Sequence, residues 1–579
     1  MRHPHAFPWV AGRPVGAGGR SRLGRVGSQC VCPHGGLTSQ DRKRGYLARS
    51  YRTRRARRGA RTWCARSFDT TSDPGDNCEM GASGYAADYS VLIIGAGFSG
   101  LASAVRLREA GITDFVILER DNRVGGTWRD AVFPGAEVDV PSCLYSLSFA
   151  PNPDWSTMNS PASEILSYIE SVVDRFALAS HIEFGSEVTR AEFDSSEGKW
   201  RVATKDGRHF VARVVIAADG LLANARYPAI PGIDTFAGKK IVSASWAQDY
   251  DVTGKRVAVI GTGASAVQIV PELVKTADHV VVCQRTPAWV IPRSNFKFPA
   301  LAKKTFRRFP ATQRAVRTAL FMFYELLTFA LIWITPFTKL VETFSKVHLR
   351  LQVKDPDLRK YLTPKYRIGC KRPLITSQFY PALQRENATL VPYGVVEVTA
   401  TGVRCADQSE HEVDCIVFAT GYDVGARGTA FAVIGLDGRV LGDEWSHGMV
   451  GYKSVNVSGY PNLFWTMGPN SFGHSSELLF IEEQVVYAVK VVRQILEGDG
   501  LVMDVKAEAQ AAHNEALQRK LAKTTFNSGC HSWYLSENGY NGMMFPGSVL
   551  DFRRQLAFEP ADYNVTKAAP LEPSTTGAA

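Results

Sequence analysis

Apolar positions along this chain repeat one pattern twice. After Tyr89 the run SVLIIGAGFSGLASAVRLREAG opens on a continuous apolar stretch, the signature of a strand covered on both faces. It turns through Gly95-x-Gly97-x-x-Gly100 and continues with apolar residues at helical spacing. A second strand pattern, DFVILER, leads to Glu119, 24 residues after Gly95. Strand, glycine turn, helix, strand and acid in that order predict a dinucleotide-binding unit. The glycines let main chain approach a pyrophosphate, and the helix N-terminus stabilises its charge. A carboxylate at Glu119 accepts from ribose hydroxyls and repels a 2′-phosphate, which suits FAD or NAD.

The pattern recurs at KRVAVIGTGASAVQIVPELV, through Gly261-x-Gly263-x-x-Ala266, and its second strand HVVVCQRT leads to Arg285. Arg285 stands 24 residues after Gly261, the offset of Glu119 from Gly95, with a guanidinium in place of the acid. Arginine pairs bidentately with a 2′-phosphate, so the first unit is expected to hold FAD and the second NADPH. A solvated arginine at a strand end is the plainer alternative.

Two further stretches, ARVVIAADGLL (212–222) and VDCIVFATGYD (413–423), end apolar strands in small-residue turns at Gly220 and Gly421. Such turns pass main chain close to a cofactor or connect two domains, and ordinary strand punctuation would look the same. Their positions on either side of the second unit suggest that it is inserted into the first. The expected fold is α/β, with two Rossmann-like dinucleotide-binding domains. FAD binding is assigned to 86–228 and 413–560, with NADPH binding at 229–412 between them. That middle domain carries a helical insertion at about 295–365, and 561–579 reads as a flexible tail.

Charge sharpens the picture. The chain has 67 Lys+Arg and 56 Asp+Glu; the first 79 residues hold 16 of the bases and five of the acids, so the remaining 500 carry 51 of each. A folded body without net charge offers no general electrostatic footprint for nucleic acid. Residues 1–85, rich in Gly and Arg and without periodicity, are expected to be a disordered basic arm lacking a secretory apolar core. A transit peptide, a nucleic-acid arm and translation upstream of a true start at Met80 all remain open. The ten cysteines form no CxxC pair and no Cys/His cluster of zinc spacing. Neither a disulfide framework nor a metal is expected, and the body reads as reduced and cytoplasmic.

With these units in place, the sequence resembles the flavin-dependent Baeyer-Villiger monooxygenases over roughly residues 86–555. Gly125-Gly126-Thr127-Trp128-x4-Phe133-Pro134-Gly135-x3-Asp139 matches a fingerprint of that family at every fixed position. The turn Ala419-Thr420-Gly421 and the segments NSGCHSWYLSENG and FPGS match as well. The resemblance implies FAD and NADPH as cofactors. It assigns Arg372, in IGCKRPL, to the anionic oxygen nucleophile and the substrate carbonyl, Lys371 to the NADPH phosphate, and Asp139 to orienting Arg372. Gly126, Thr127, Trp128 and Tyr145 would line the flavin site, where core packing is the alternative for the two aromatics. His474 reads as a satisfied helix-entry histidine rather than a catalytic one, and Cys530 and Trp533 as shaping the substrate side.

A second family fingerprint breaks. In FAGKKIVSASWA, Phe236, Gly238 and Trp246 fit, but Val242 stands at the histidine position and Ala247 follows the tryptophan. Valine neither donates a hydrogen bond nor titrates, which puts efficient coupling of cofactor movement to oxygenation in doubt.

The insertion contains ALFMFYELLTFALIWITPF (319–337), with Glu325 as its single charge. Its length approaches a membrane span, but Glu325 and Pro336 argue against one. A buried lid or core helix is the favoured expectation, ahead of peripheral membrane contact. The leading functional expectation is NADPH-dependent insertion of one oxygen atom from O2 into a hydrophobic ketone or aldehyde. Oxygenation of sulfur or nitrogen, an uncoupled NADPH oxidase and a non-catalytic nucleotide-binding module are the alternatives.

Overall fold

The computed structural model describes residues 87–221, 227–421, 429–498, 500–530 and 532–567. The basic arm and its four cysteines lie outside the described residues. The first glycine turn belongs to an eight-stranded sheet. At its centre the Ala87–Ile94 strand pairs in parallel with Phe115–Leu118 on one side and His209–Ala217 on the other. Val91, Leu92 and Ile93 are fully buried there, as a strand packed on both faces requires. Beyond His209–Ala217 the sheet turns antiparallel through Lys199–Thr204 and Val188–Asp194, where burial alternates along Lys199–Thr204.

Two late strands complete this sheet: Ala432–Ile434 joins Val188–Asp194, and Leu463–Trp465 joins His209–Ala217. Between these early and late strands the chain builds a second, wholly parallel sheet. Its order is Ala388–Val391, His279–Cys283, Arg256–Ile260, Cys415–Phe418, Lys239–Val242. The expectation that the first domain resumes at residue 413 is therefore corrected. Cys415–Phe418 is hydrogen-bonded between Arg256–Ile260 and Lys239–Val242, so the return to the first sheet follows it. The start of the expected tail is corrected too, because Tyr563–Lys567 pairs antiparallel with Leu501–Val505, while 568–579 lie outside the described residues.

Four helices, Ala300–Arg308, Pro310–Ile332, Pro336–Gln352 and Pro356–Leu362, interrupt the second sheet where the insertion was expected. Proline opens three of them, where its missing N–H has no intrahelical partner to lose. The Pro310–Ile332 helix is no core helix. Tyr324, Thr328, Leu331 and Ile332 lie buried on one face, but Phe323 is 59% exposed and Leu326 70%. Glu325 is tolerated in the buried face because it accepts from the backbone N–H groups of Val549 and Leu550, in the first turn of the Val549–Gln555 helix. One disulfide, Cys370–Cys530, ties the insertion's exit to the C-terminal segment. That bond runs against the expectation of a fully reduced body, which counted Cys spacing and could not see two distant residues brought together.

Candidate active site

The first glycine turn is built as its spacing predicts. Gly95 has φ +103°, and a Cβ there would lie 2.6 Å from the Ala218 carbonyl oxygen. Gly97 caps the Phe98–Glu109 helix, and Gly100 packs so closely that a Cβ would meet Gly95 O at 1.9 Å. Glu119 follows the Phe115–Leu118 strand; its Oε2 accepts from Ala96 N–H at 2.8 Å and its Oε1 from Asp121 N–H at 3.1 Å. Buried Arg129 donates to the same Oε1 at 2.9 Å and holds the carboxylate in place.

Around this turn lies a cavity of about 250 Å³, bordered by Gly95, Gly97, Glu119, Gly126, Thr127, Trp128 and Tyr145. Gly126, at φ +52°, faces Gly97 so that a Cβ would stand 3.3 Å from the Gly97 Cα. The Trp128 indole donates to the Tyr145 hydroxyl at 3.1 Å, and burial pushes that phenol up. Glycines at the three closest approaches of main chain, an acid held after the second strand and an aromatic wall fit FAD.

The second turn copies the first. Gly261 has φ +109°, and a Cβ would lie 2.6 Å from the Ala419 carbonyl oxygen, as Gly95 does from Ala218. Ala419, Thr420 and Gly421 follow the Cys415–Phe418 strand, and Ala419 N–H donates to Ile260 O at 3.0 Å. The space beside Gly263 is open. The ATG turn thus backs the second glycine loop, while its counterpart Ala218-Asp219-Gly220 borders the cavity at the first turn. Burial pushes the Asp219 carboxyl up to about 6.

Arg285 and Lys371 converge on this side. The Lys371 ammonium is pushed down by burial and then by the Arg285 charge. Among the described residues neither forms an ion pair with a carboxylate, and the Lys371 ammonium lies 5.3 Å from the centre of the Tyr366 ring. Two cations left facing one another without an acid fit a phosphate-bearing nucleotide such as NADPH.

Arg372 stands at the meeting of three segments. Its Nε and Nη2 reach the two oxygens of Asp139 at 3.3 Å each, its Nη1 reaches Glu477 Oε1 at 3.3 Å, and its backbone N–H donates to the Tyr534 hydroxyl at 3.0 Å. Arg372 and Asp139 keep 32% and 30% of their side chains open, so the pair faces space instead of being sealed. Asp139 first, then Glu477, raises the Arg372 pKa against the cost of burial, and the guanidinium stays charged. Burial drives the Glu477 carboxyl up to about 8, with Arg372 opposing, and its Oε2 has no hydrogen-bond partner.

The sequence reading did not find Glu477, Tyr534 or Arg129. Glu477 begins the Glu477–Glu497 helix, where an acid passes for an ordinary dipole partner. His474 is buried against Phe526 with its Nε2 unpartnered, and burial followed by the Arg372 charge pushes it down to about 3. The expectation of a satisfied histidine therefore fails at Nε2, although the ring also keeps a backbone hydrogen bond with Gly369. Val242 is buried among Phe236, Ala258, Ile260 and Phe418.

A family model described as flavin-binding monooxygenase-like matches residues 88–312. The chain is 43% identical over 492 residues to a Baeyer-Villiger monooxygenase of Streptomyces coelicolor, spanning 83% of this chain and 93% of the relative. It superposes on a cyclohexanone monooxygenase from Rhodococcus sp. Phi1 bound to NADP+ with TM-score 0.74 and 27% identity, over 83% of this chain and all of the other. The OTEMO complex with FAD and NADP gives TM-score 0.75 and 25% identity, over 83% and 99%.

Fold and site together define an NADPH-dependent flavin monooxygenase whose cofactors are FAD and NADP. Within that class the chain belongs to the Baeyer-Villiger monooxygenases.

Proposed function

We propose that the protein inserts one oxygen atom from O2 into a hydrophobic ketone or aldehyde to give an ester or lactone, with Arg372 as the catalytic cation and Asp139 as the residue that aims it. The carrying observation is the two-point contact of Asp139 with the Nε–Nη2 edge of Arg372, on a pair that stays partly open. A guanidinium fixed in this way is charged and oriented before any negative oxygen develops beside it, so its reorganisation cost is already met. Bound FAD supplies acceptance of hydride from NADPH and activation of O2.

The protein's own work is placement. Gly95, Gly97, Gly100, Glu119, Gly126, Thr127, Trp128 and Tyr145 are assigned to FAD. Gly261, Gly263, Arg285, Lys371 and the Ala419–Gly421 turn are assigned to NADPH. The first sheet would then be the FAD-binding domain and the second, ending after Phe418, the inserted NADPH-binding domain. We place the protein in the cytoplasm, meeting a membrane peripherally through residues 319–337.

The test uses the full chain loaded with FAD, reduced by NADPH and supplied with isotopically labelled O2 and a panel of cyclic, aliphatic and steroid-like ketones. Ester or lactone carrying one labelled oxygen is expected. Stoichiometric hydrogen peroxide with no labelled product from any ketone would overturn the proposal.

A further inference from the structure

Exposed apolar side chains are not spread evenly over this molecule. Of the 22 large hydrophobic residues exposed among the described residues, twelve fall between Leu301 and Leu351, in the helical insertion. They form stripes. Phe337, Leu340, Phe344, Val347 and Leu351 recur at three- and four-residue intervals along one side of the Pro336–Gln352 helix. Phe323, Leu326 and Phe329 are spaced by three on Pro310–Ile332, with exposed Met322 next to Phe323, and the two helices pack against each other. A soluble surface scatters such residues singly; exposed apolar stripes on two helices packed together mark a partner.

Charge says what the partner is. Residues 295–354 carry eleven Lys+Arg and two acids, leaving 40 bases and 49 acids for the rest of 80–579. Both acids point inward: Glu325 accepts from Val549 and Leu550, and Glu342 accepts from Ile368 N–H at 3.1 Å. The formal charge left at the surface of the two helices is cationic, with Arg314, Lys339, Lys346 and Arg350 exposed beside the apolar stripes. A second copy of this chain would bring a segment of net charge +9 against another, which charge repulsion opposes. An anionic lipid surface meets both features at once, since acyl chains take the apolar stripes and phosphates take the cations.

The opposite face stays with the protein, where Tyr324, Thr328, Leu331 and Ile332 are buried, so only one side of the Pro310–Ile332 helix is left for a partner.

We infer that the outer faces of the Pro310–Ile332 and Pro336–Gln352 helices form a docking surface for an anionic phospholipid bilayer. This deepens the peripheral contact proposed for residues 319–337 and stands apart from the oxygenation chemistry, because its test reads no turnover. FAD-loaded full-length protein is floated with vesicles of phosphatidylcholine alone and with vesicles containing roughly one quarter phosphatidylglycerol. A variant combining Phe323→Ser, Leu326→Ser, Leu340→Ser and Phe344→Ser is run beside it, with flavin loading and thermal melting as checks of fold. All four positions are exposed, so the fold is expected to survive. The native chain is expected to float with the anionic vesicles, and the variant to lose about tenfold or more of that partition. Equal flotation of both proteins would assign binding to the basic arm and overturn the inference. A native chain that stays off the vesicles also overturns it, and a dimer abolished by the variant would name a second copy as the occupant instead.

Discussion

Arg372 holds two carboxylates by different edges: Nε and Nη2 reach Asp139, while Nη1 reaches Glu477 Oε1 at 3.3 Å. One guanidinium cannot neutralise two anions and still attract a third charge. Burial resolves the conflict by keeping Glu477 protonated up to about pH 8, which leaves Asp139 as the single anionic partner.

Oxygenation should therefore fall as pH rises past about 8, by about tenfold for each further unit if the step requires neutral Glu477. Asp139 and Arg372 both face this carboxyl, and Tyr145 and Tyr534 also feel its charge. In Glu477→Gln the alkaline limb should vanish while ester yield per NADPH at pH 7 is kept. Stability follows the same proton. The folded pKa lies above the usual carboxyl value, so this contribution is full at acid pH and is lost as pH rises towards 8. The melting temperature of Glu477→Gln should depend less on pH between 5 and 9 than that of the native chain. An unchanged alkaline limb in the variant would remove Glu477 from this role.

Arg372→Ala should separate the two halves of the reaction. Ester formation is expected to drop by about 100- to 1,000-fold, the loss typical of a preorganised charge aimed at a developing anion. Flavin reduction by NADPH, read anaerobically by absorbance, should persist. Arg372→Lys keeps the charge but not the two-point contact with Asp139, and is expected to recover only part of the rate. Unchanged ester yield from Arg372→Ala would end the assignment.

The paired cations at the second turn make a prediction about cofactor choice. On the proposed NADPH site, Arg285→Ala would remove one charge-assisted partner of the 2′-phosphate, so KM for NADPH should rise about 10- to 100-fold while KM for NADH changes little. Relief of the neighbouring charge should also raise the Lys371 pKa, since Arg285 is the cation that depresses it. Equal loss with both nucleotides would mean that Arg285 serves the fold and not the phosphate.

Local patterns explain what was legible from the chain alone. Both glycine turns could be read because strand period, turn chemistry and a fixed offset act over some thirty residues. The Cys415–Phe418 strand could not be placed, since a short, fully apolar run suits the centre of either sheet and only its hydrogen-bonding partners decide. Glu477 lies 105 residues from Arg372, and nothing near it in sequence distinguishes a helix-capping acid from a buried one. The outward stripe on Pro310–Ile332 was misjudged for a related reason: composition reports that a helix is apolar, but not which of its faces the protein covers.

Val242, where the family fingerprint has histidine, ends the Lys239–Val242 strand and is 4% exposed in an apolar cluster. An imidazole placed there would lose its water without gaining a polar neighbour from Phe236, Ala258, Ile260 or Phe418. Val242→His should cost about 1–3 kcal/mol, the usual penalty for burying an unpaired polar group. The cost should also depend on pH with a definite sign. A histidine buried neutral has its folded pKa below the unfolded value near 6.5, so the unfolded chain takes up more protons as pH falls and stability drops with it. The melting-temperature deficit of Val242→His against the native chain should thus be larger at pH 5.5 than at pH 8. A variant that melts with the native protein at both pH values would show that this position opens to water, and the segment could then perform the polar role that the apolar packing otherwise denies it.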